Sequence, residues 1–308
     1  MRVVVGAGPV GTAVAKLLAE QGEQVKVVTR NGTGPEHSRI EKVAADATDA
    51  TELSRIAAGA GTLFSCGGPA YGKWATDWPP LGASLIETAH TTGALLVTTG
   101  NLYGYGAPTH PMTEQDEGRP NSVKGRVRAR LWADALAAHR DGRIRTAEVR
   151  GSDYLGAGAA SFFTVGVLPG VLRGKATSIP ADLDAPHSWT YVGDVARTLI
   201  AVAADESAWG RSWHVPTAPP LSVRELATRA AAIAGLPAPK VRSMPPAVLW
   251  LGGLVNKQAR EIRELQYQFR RPFVLDSSAA TEKFGIEPVG TDQALRETVI
   301  HLMATVPG

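Results

Sequence analysis

Gly6-Ala-Gly8-Pro9-Val10-Gly11 reads G-x-G-x-x-G close to the start of a 308-residue chain. Glycines at this spacing act through the backbone. Gly6 permits a tight turn, Gly8 lets the main chain approach a pyrophosphate, and Gly11 lets a helix pack closely on a strand. The motif follows the β-branched run Val3–Val5 and opens a helical pattern. In that context a helix N-terminus offers free N–H groups and a positive dipole end to phosphates. About 20 positions past the glycines, a carboxylate would accept the hydroxyls of an adenosine ribose. The second strand ends instead in Thr29-Arg30-Asn31, with no carboxylate before Glu36. A guanidinium there can fork onto a 2′-phosphate, with Arg39 as a second charge. These residues lead to an expected cofactor of the NADP(H) type, with NAD(H) less well suited. Gly6, Gly8, Pro9, Val10, Gly11, Arg30 and Asn31 are expected to contact it.

An alternation of strands and helices must hold this loop. Val25–Thr29, Lys42–Ala45, Thr62–Ser65 and Leu95–Thr99 read as strands. Helical spacing runs over Val10–Gln21, stopped by Gly22, over Ala50–Ala58 behind the cap Asp49, and over Leu81–Thr92. Repeated βαβ units predict an α/β, Rossmann-type doubly wound parallel sheet, covered by helices on both faces. A Gly- and Pro-rich loop over 100–120 precedes a long helix, Ser122–His139, and a strand, Ile144–Val149. After the glycines of 151–158 the pattern becomes irregular, which predicts a smaller C-terminal substrate lobe. The expected dinucleotide domain is 1–155, with 187–205 returning to it; 156–186 and 206–308 form the lobe. Within these, Trp189–Val192 reads as a strand and Val195–Ala204 as a helix. Leu221–Ala234 is a helix with a Ser222/Glu225 capping box. Ala259–Arg270 is amphipathic, with Ile262, Leu265 and Phe269 in line.

Composition narrows the function classes. Hydrophobic residues make up 44% of the chain, enough for a large core, and 32 basic residues face 29 acidic ones without any like-charge block. No nucleic-acid partner is expected. Cys66 is the one cysteine, which excludes an internal disulfide, and the seven histidines lack metal-ligand spacing, so no metal is expected. The chain enters a strand at its first residues, so no secretory signal is expected. The apolar run Ala247–Val255 is too short to span a bilayer. The expected location is cytoplasmic, without a membrane partner. There is no G-x-S-x-G, so hydrolase chemistry has no support.

Further segments occur in a telling order. Asp46-Ala47-Thr-Asp49 follows the third strand, Phe64-Ser-Cys66-Gly67-Gly68 the fourth, and Thr98-Thr99-Gly-Asn-Leu-Tyr103-Gly104 the fifth. Arg150-Gly-Ser-Asp-Tyr154-Leu-Gly156 and Trp189-Thr-Tyr-Val-Gly-Asp194-Val-Ala come next, then Leu275-Asp276-Ser-Ser-Ala and Phe284-Gly285. Through these segments the chain resembles, over essentially its whole length, the extended and atypical short-chain dehydrogenase/reductases, which include NAD-dependent epimerase/dehydratase proteins. The glycine spacing suits the atypical branch, since typical extended members have G-x-x-G-x-x-G. The resemblance implies that Asp46 and Ala47 meet the adenine end and that Cys66 and Gly67 border the cofactor. It also implies that Thr99 is the catalytic Ser/Thr and that Tyr154 lies beside the nicotinamide. A homodimer through Leu81–Thr92 and Ser122–His139 is implied as well.

The resemblance breaks at the family's Tyr-x-x-x-Lys pair. Counting from Thr99, Lys124 stands in the Tyr slot and Arg128 in the Lys slot. Reduction of a carbonyl leaves a negative oxygen that needs a donor or acid. Two replacements are open. Lys124, its pKa lowered by Arg128 one helical turn away, would serve; so would the phenol of Tyr103 or Tyr105. The same basic residues could also hold the cofactor's phosphates and ribose, or form a solvated helix start. Tyr71, Trp74, Trp78, Tyr105 and Tyr154 are candidates for the substrate wall, Tyr71, Trp74 and Trp78 also for anchoring a long loop. The expected activity is that of an NADP(H)-dependent oxidoreductase on a small organic carbonyl, imine or conjugated alkene. A nucleotide-sugar epimerase or dehydratase is the alternative enzyme, with Arg242, Arg260, Arg263, Arg270 and Arg271 to grip a diphosphate. A non-catalytic NADP(H)-binding redox-sensing regulator is the alternative outside enzymes.

Overall fold

Val3 and Val5 point to one face of their strand and Val4 to the other, and all three are buried. A strand buried on both faces belongs in the interior of a parallel sheet. The computed structural model, described over residues 1–245 and 263–305, places it there. The strands are β1 (Arg2–Val5), β2 (Val25–Thr29), β3 (Ile40–Ala44), β4 (Thr62–Ser65), β5 (Leu95–Asn101) and β6 (Thr146–Gly151), followed by five short strands. The short ones are β7 (Asp153–Leu155), β8 (Thr177–Ile179), β9 (Trp189–Tyr191), β10 (Ser212–His214) and β11 (Val241–Ser243). The main sheet has seven parallel strands in the order β10-β6-β5-β4-β1-β2-β3. The chain reverses direction across the sheet between β3 and β4, so a crevice opens at the C-terminal ends of β1 and β4.

The helices are α1 (Pro9–Glu20), α2 (Ala50–Ile56), α3 (Trp74–Thr92), α4 (Val123–Arg140), α5 (Phe162–Gly166), α6 (Leu168–Leu172), α7 (Val192–Ala204), α8 (Val223–Ile233), α9 (Ser278–Phe284) and α10 (Thr291–Thr305). One face of the sheet carries α1 and α7, with Val4, Val14, Leu18, Phe64, Val97 and Leu199 in one cluster. The other carries α2, α3 and α4, with Val3, Val5, Leu53, Leu63, Leu85 and Leu96. Asp49 and Ser122 cap α2 and α4 through their side chains, and Ser222 and Glu225 form the expected box on α8.

The lobe has its own core, in which Leu155, Phe163, Leu168, Trp189, Leu226 and Leu295 are buried together. Two parallel pairs, β7 with β9 and β8 with β11, run through it. One strand within 206–308, the segment expected in the lobe, lies elsewhere: β10 pairs with β6 at the edge of the main sheet.

The expected start of the third helix at Leu81 is corrected. It begins at Trp74 and contains Pro79 and Pro80. Proline lacks an N–H but accepts helical φ, so the prolines cost hydrogen bonds to first-turn carbonyls without breaking the helix. Tyr71 to Lys73 form a 3-10 turn leading into it, so Trp74 and Trp78 stand on a helix, not in a loop. The run Ala247–Val255, Arg260 and the first residues of the expected helix Ala259–Arg270 lie outside the described residues. The end of that helix is a 3-10 turn, Gln266–Phe269. No helix among the described residues is long and apolar enough to cross a membrane.

Candidate functional site

The glycine loop has the geometry its spacing predicts. Gly6 has φ +99°, and a Cβ there would stand 2.4 Å from Gly67 Cα, so the ends of β1 and β4 close on each other. A Cβ on Gly11 would meet the Gly6 carbonyl oxygen at 2.0 Å, while one on Gly8 would meet nothing within 4 Å. The loop is thus packed behind and open in front. Gly8 caps α1 without a side-chain hydrogen bond, Pro9 occupies the first turn, and no acid stands there. The first-turn amides have no intrahelical acceptor. These features fit a dinucleotide's pyrophosphate. Arg30 and Asn31 are exposed at the end of β2. Asp46 closes a turn by accepting the Thr48 amide at 3.0 Å and its hydroxyl at 2.9 Å. Those bonds, and to a lesser degree the charge of Arg30, hold its carboxyl below the usual range.

Beside the loop lies a cavity of about 340 Å³. Pro9, Val10, Cys66 and Gly67 border it from the loop side, and Thr99, Asn101 and Tyr103 from the end of β5. Tyr71, Trp74 and Trp78 supply an aromatic wall. Trp74 stacks on Tyr103 at 5.9 Å and meets Tyr71 and Trp78 edge-on at 5.3 and 6.1 Å. Gly68 makes room for Trp78, whose ring would sit 2.6 Å from a Cβ there.

The catalytic candidates are not equally placed. Thr99 Oγ1 is enclosed, with the Cys66 thiol beside it. Burial pushes that thiol up to about 12, so it is no nucleophile. Arg128 donates to the Thr99 carbonyl at 2.8 Å and lies over the rings of Trp78 and Trp74 at 4.7 and 5.4 Å. Burial lowers its pKa. Tyr103 lines the cavity; burial, then Tyr71 and Asp153, push its phenol well above the usual value. Tyr154 also lines it and is raised to about 12, by burial. Lys124 is placed differently. Its Nζ donates to Glu264 at 3.0 Å and lies 4.4 Å from the centre of the Tyr71 ring, and its backbone amide binds the same carboxylate at 2.9 Å. Tyr105 lines a second, polar cavity of about 310 Å³. Its hydroxyl meets His214 Nε2 at 2.8 Å and accepts from Arg150 at 2.7 Å, and Arg150 in turn holds Glu148 at 2.6 Å.

Several cavity residues are absent from the sequence-based set. Asp153 carries a carboxylate joined to buried His187 at 3.0 Å. Ser152 and Gln268 are buried and line the cavity beside it. Nothing in their spacing announces them, because three distant segments meet here. Asp194, in the segment resembling a family signature, is 1% exposed and accepts the Val289 amide at 2.8 Å. Burial raises its pKa. It ties the C-terminal segment to α7 and does not line the cavity.

The comparisons with known proteins come to bear on this geometry. A family model described as the NAD dependent epimerase/dehydratase family matches residues 3–215. A comparison with curated proteins by sequence finds no match. The fold is similar to that of UDP-glucose 4-epimerase from Thermotoga maritima, solved with UDP-glucose (20% identity, 99% of each chain, TM-score 0.80). It is similar to that of the Streptomyces venezuelae dTDP-glucose 4,6-dehydratase DesIV, a double mutant solved with NAD (18% identity, 99% of this chain and 97% of that one, TM-score 0.80). The Bordetella bronchiseptica enzyme WbmH, solved with NAD+, is a third (17% identity, 99% and 98%, TM-score 0.78).

Two expectations are corrected by these findings. The cofactor expected was NADP(H); the family is described by NAD, and NAD is what DesIV and WbmH hold. Arg30 is an exposed side chain at the end of β2, and among the described residues no side-chain hydrogen bond fixes it for a 2′-phosphate. The activity expected was reduction of a small carbonyl, imine or conjugated alkene. The family is instead described by epimerases and dehydratases, and two of the three structures are named as a UDP-glucose epimerase and a dTDP-glucose dehydratase. The sequence reading weighted the missing Tyr-x-x-x-Lys pair and left the lobe undecided.

Proposed function

The chain belongs to the NAD dependent epimerase/dehydratase family, and we propose that it is an NAD(H)-dependent epimerase or dehydratase acting on a nucleotide-linked sugar. The observation that carries the nucleotide half is Arg270. Its Nε and Nη2 are buried with no hydrogen-bond partner among the described residues. It stands two residues beyond Gln268, which lines the cavity. A guanidinium edge left unpaired costs free energy, and a diphosphate would satisfy it with two charge-assisted bonds. Arg242, Arg263 and Arg271 are exposed and add positive charge on the same lobe.

NAD, when bound, supplies a reversible hydride acceptor. The loop Gly6–Gly11 holds its pyrophosphate, with Asp46 and Ala47 at the adenine end and Cys66 and Gly67 along its course. Thr99 orients the substrate oxygen through its enclosed hydroxyl. Tyr103, kept protonated by burial, would give its proton to the carbonyl oxygen in the half-reaction that returns hydride to the sugar. Arg128 fixes the Thr99 main chain and closes the cavity floor against the indoles. The aromatic wall of Trp74 and Tyr103 takes the apolar face of a pyranose ring.

The test is turnover of UDP- and dTDP-hexoses in the presence of NAD+, followed by NMR of the sugar, together with calorimetry of UDP binding. Arg270→Ala should weaken UDP binding roughly tenfold or more, as loss of a charged hydrogen bond does. Absence of both turnover and UDP or dTDP binding would overturn the proposal.

A further inference from the structure

Asp153 and His187 lie 34 residues apart and meet because β7 and β9 pair in register, Asp153 opposite Trp189. His187 is 2% exposed. Its Nε2 is 3.0 Å from Asp153 Oδ2, and its Nδ1 is 3.2 Å from the Gln268 carbonyl oxygen. Phe269 and Phe273 stack on the imidazole at 4.7 and 5.4 Å, inclined by 15° and 23°. Both ring nitrogens thus face acceptors. The imidazole therefore bridges the Asp153 carboxyl group and the Gln268 carbonyl and is held flat between two phenyl rings, which fixes the carboxyl group's orientation.

The carboxylate so held faces the cavity. Its Oδ1 accepts the Phe162 amide at 3.3 Å, and each oxygen keeps a further lone pair. The Ser152 hydroxyl beside it is enclosed and has no hydrogen-bond partner among the described residues, and Gln268 is 2% exposed. The other titratable groups facing Asp153 are the phenols of Tyr103 and Tyr154, both kept protonated by burial. Arg128, the cation of the same cavity, is engaged with the Thr99 carbonyl and the indole faces.

We propose that Asp153, locked by His187, determines sugar specificity. It accepts hydrogen bonds from hydroxyl or amino groups of a neutral or amino sugar and disfavours uronic acids, whose carboxylate would meet a second carboxylate. The inference rests on the nucleotide-sugar reading and narrows its substrate class. An acceptor-only group in a confined wall rejects a ligand that cannot donate to it, and like charges in contact are strongly unfavourable. His187 is the positioning residue: without it the carboxylate is free to rotate.

The experiment is calorimetry on the NAD-saturated protein with UDP, UDP-glucose, UDP-glucosamine and UDP-glucuronate. UDP-glucose and UDP-glucosamine should bind at least about tenfold more tightly than UDP-glucuronate. Asp153→Asn should reduce that preference to within about threefold while leaving affinity for UDP itself unchanged. Equal binding of glucose and glucuronate forms, or a preference that survives Asp153→Asn with UDP binding intact, overturns the specificity role. Failure of UDP and of dTDP to bind at all overturns the nucleotide-sugar reading, and this inference with it. NMR of protein labelled with 15N-histidine provides a check independent of any variant's folding. The Nδ1–H of His187 that faces the Gln268 carbonyl should be protected from exchange with solvent; a ring in fast exchange would refute the lock.

Discussion

Tyr103 is the residue on which the proposed chemistry turns, because it lines the cavity from the same end of β5 as Thr99. Removing a positioned acid typically costs about a hundredfold or more in rate. Tyr103→Phe should therefore lower kcat by about that factor while NADH binding, read by nicotinamide fluorescence, stays within about twofold. An unchanged kcat would transfer the role elsewhere. The glycine loop was legible in the sequence because its binding groups are backbone atoms of one contiguous segment. Asp153 and His187 were not. Their meeting depends on the register of two three-residue strands, and no local pattern encodes that register.

Among the elements, α4 shows how a motif slot can change its job. Lys124 lies where the resemblance sets a catalytic Tyr, yet it pairs with Glu264 and is 3% exposed. Lys124→Met would leave that half-buried carboxylate without its ammonium, at a cost of about 2 kcal/mol. The expected outcome is a lower melting temperature, with kcat falling far less than in Tyr103→Phe. A large loss of kcat at unchanged stability would return Lys124 to the chemistry. Sequence periodicity located α4, α7 and α8 well, since each shows an apolar stripe or a cap. It shortened α3 because Pro79 and Pro80 read as a break. The short strands β7, β8, β10 and β11 are three residues each, below the length at which alternation can be read.

Across the whole molecule, one buried network joins sheet and lobe. His214, on β10, is fully buried and receives the Glu114 carboxylate at its backbone amide. Its Nδ1 donates to the Asp276 carbonyl at 2.7 Å, and its Nε2 accepts from Tyr105. Burial lowers its pKa from the ordinary 6.5. The unfolded chain therefore binds a proton before the folded one does. The stability this contributes is fully present above about pH 6.5 and is lost as pH falls through the folded value. The melting temperature should drop below that pH, and His214→Gln should flatten the slope. An identical slope in the variant would assign the acid sensitivity to other groups.

The outermost position of β10 has a consequence for how the chain is made. During synthesis β6 is complete long before residues 212–214 emerge to cover it. For that interval the nascent sheet presents an open parallel rim, the kind of surface on which strands of other chains can add. Glu148 and Arg150 lie on that rim and pair with each other at 2.6 Å. Two charges on an unfinished margin discourage intermolecular pairing until the sheet's own edge strand, β10, arrives.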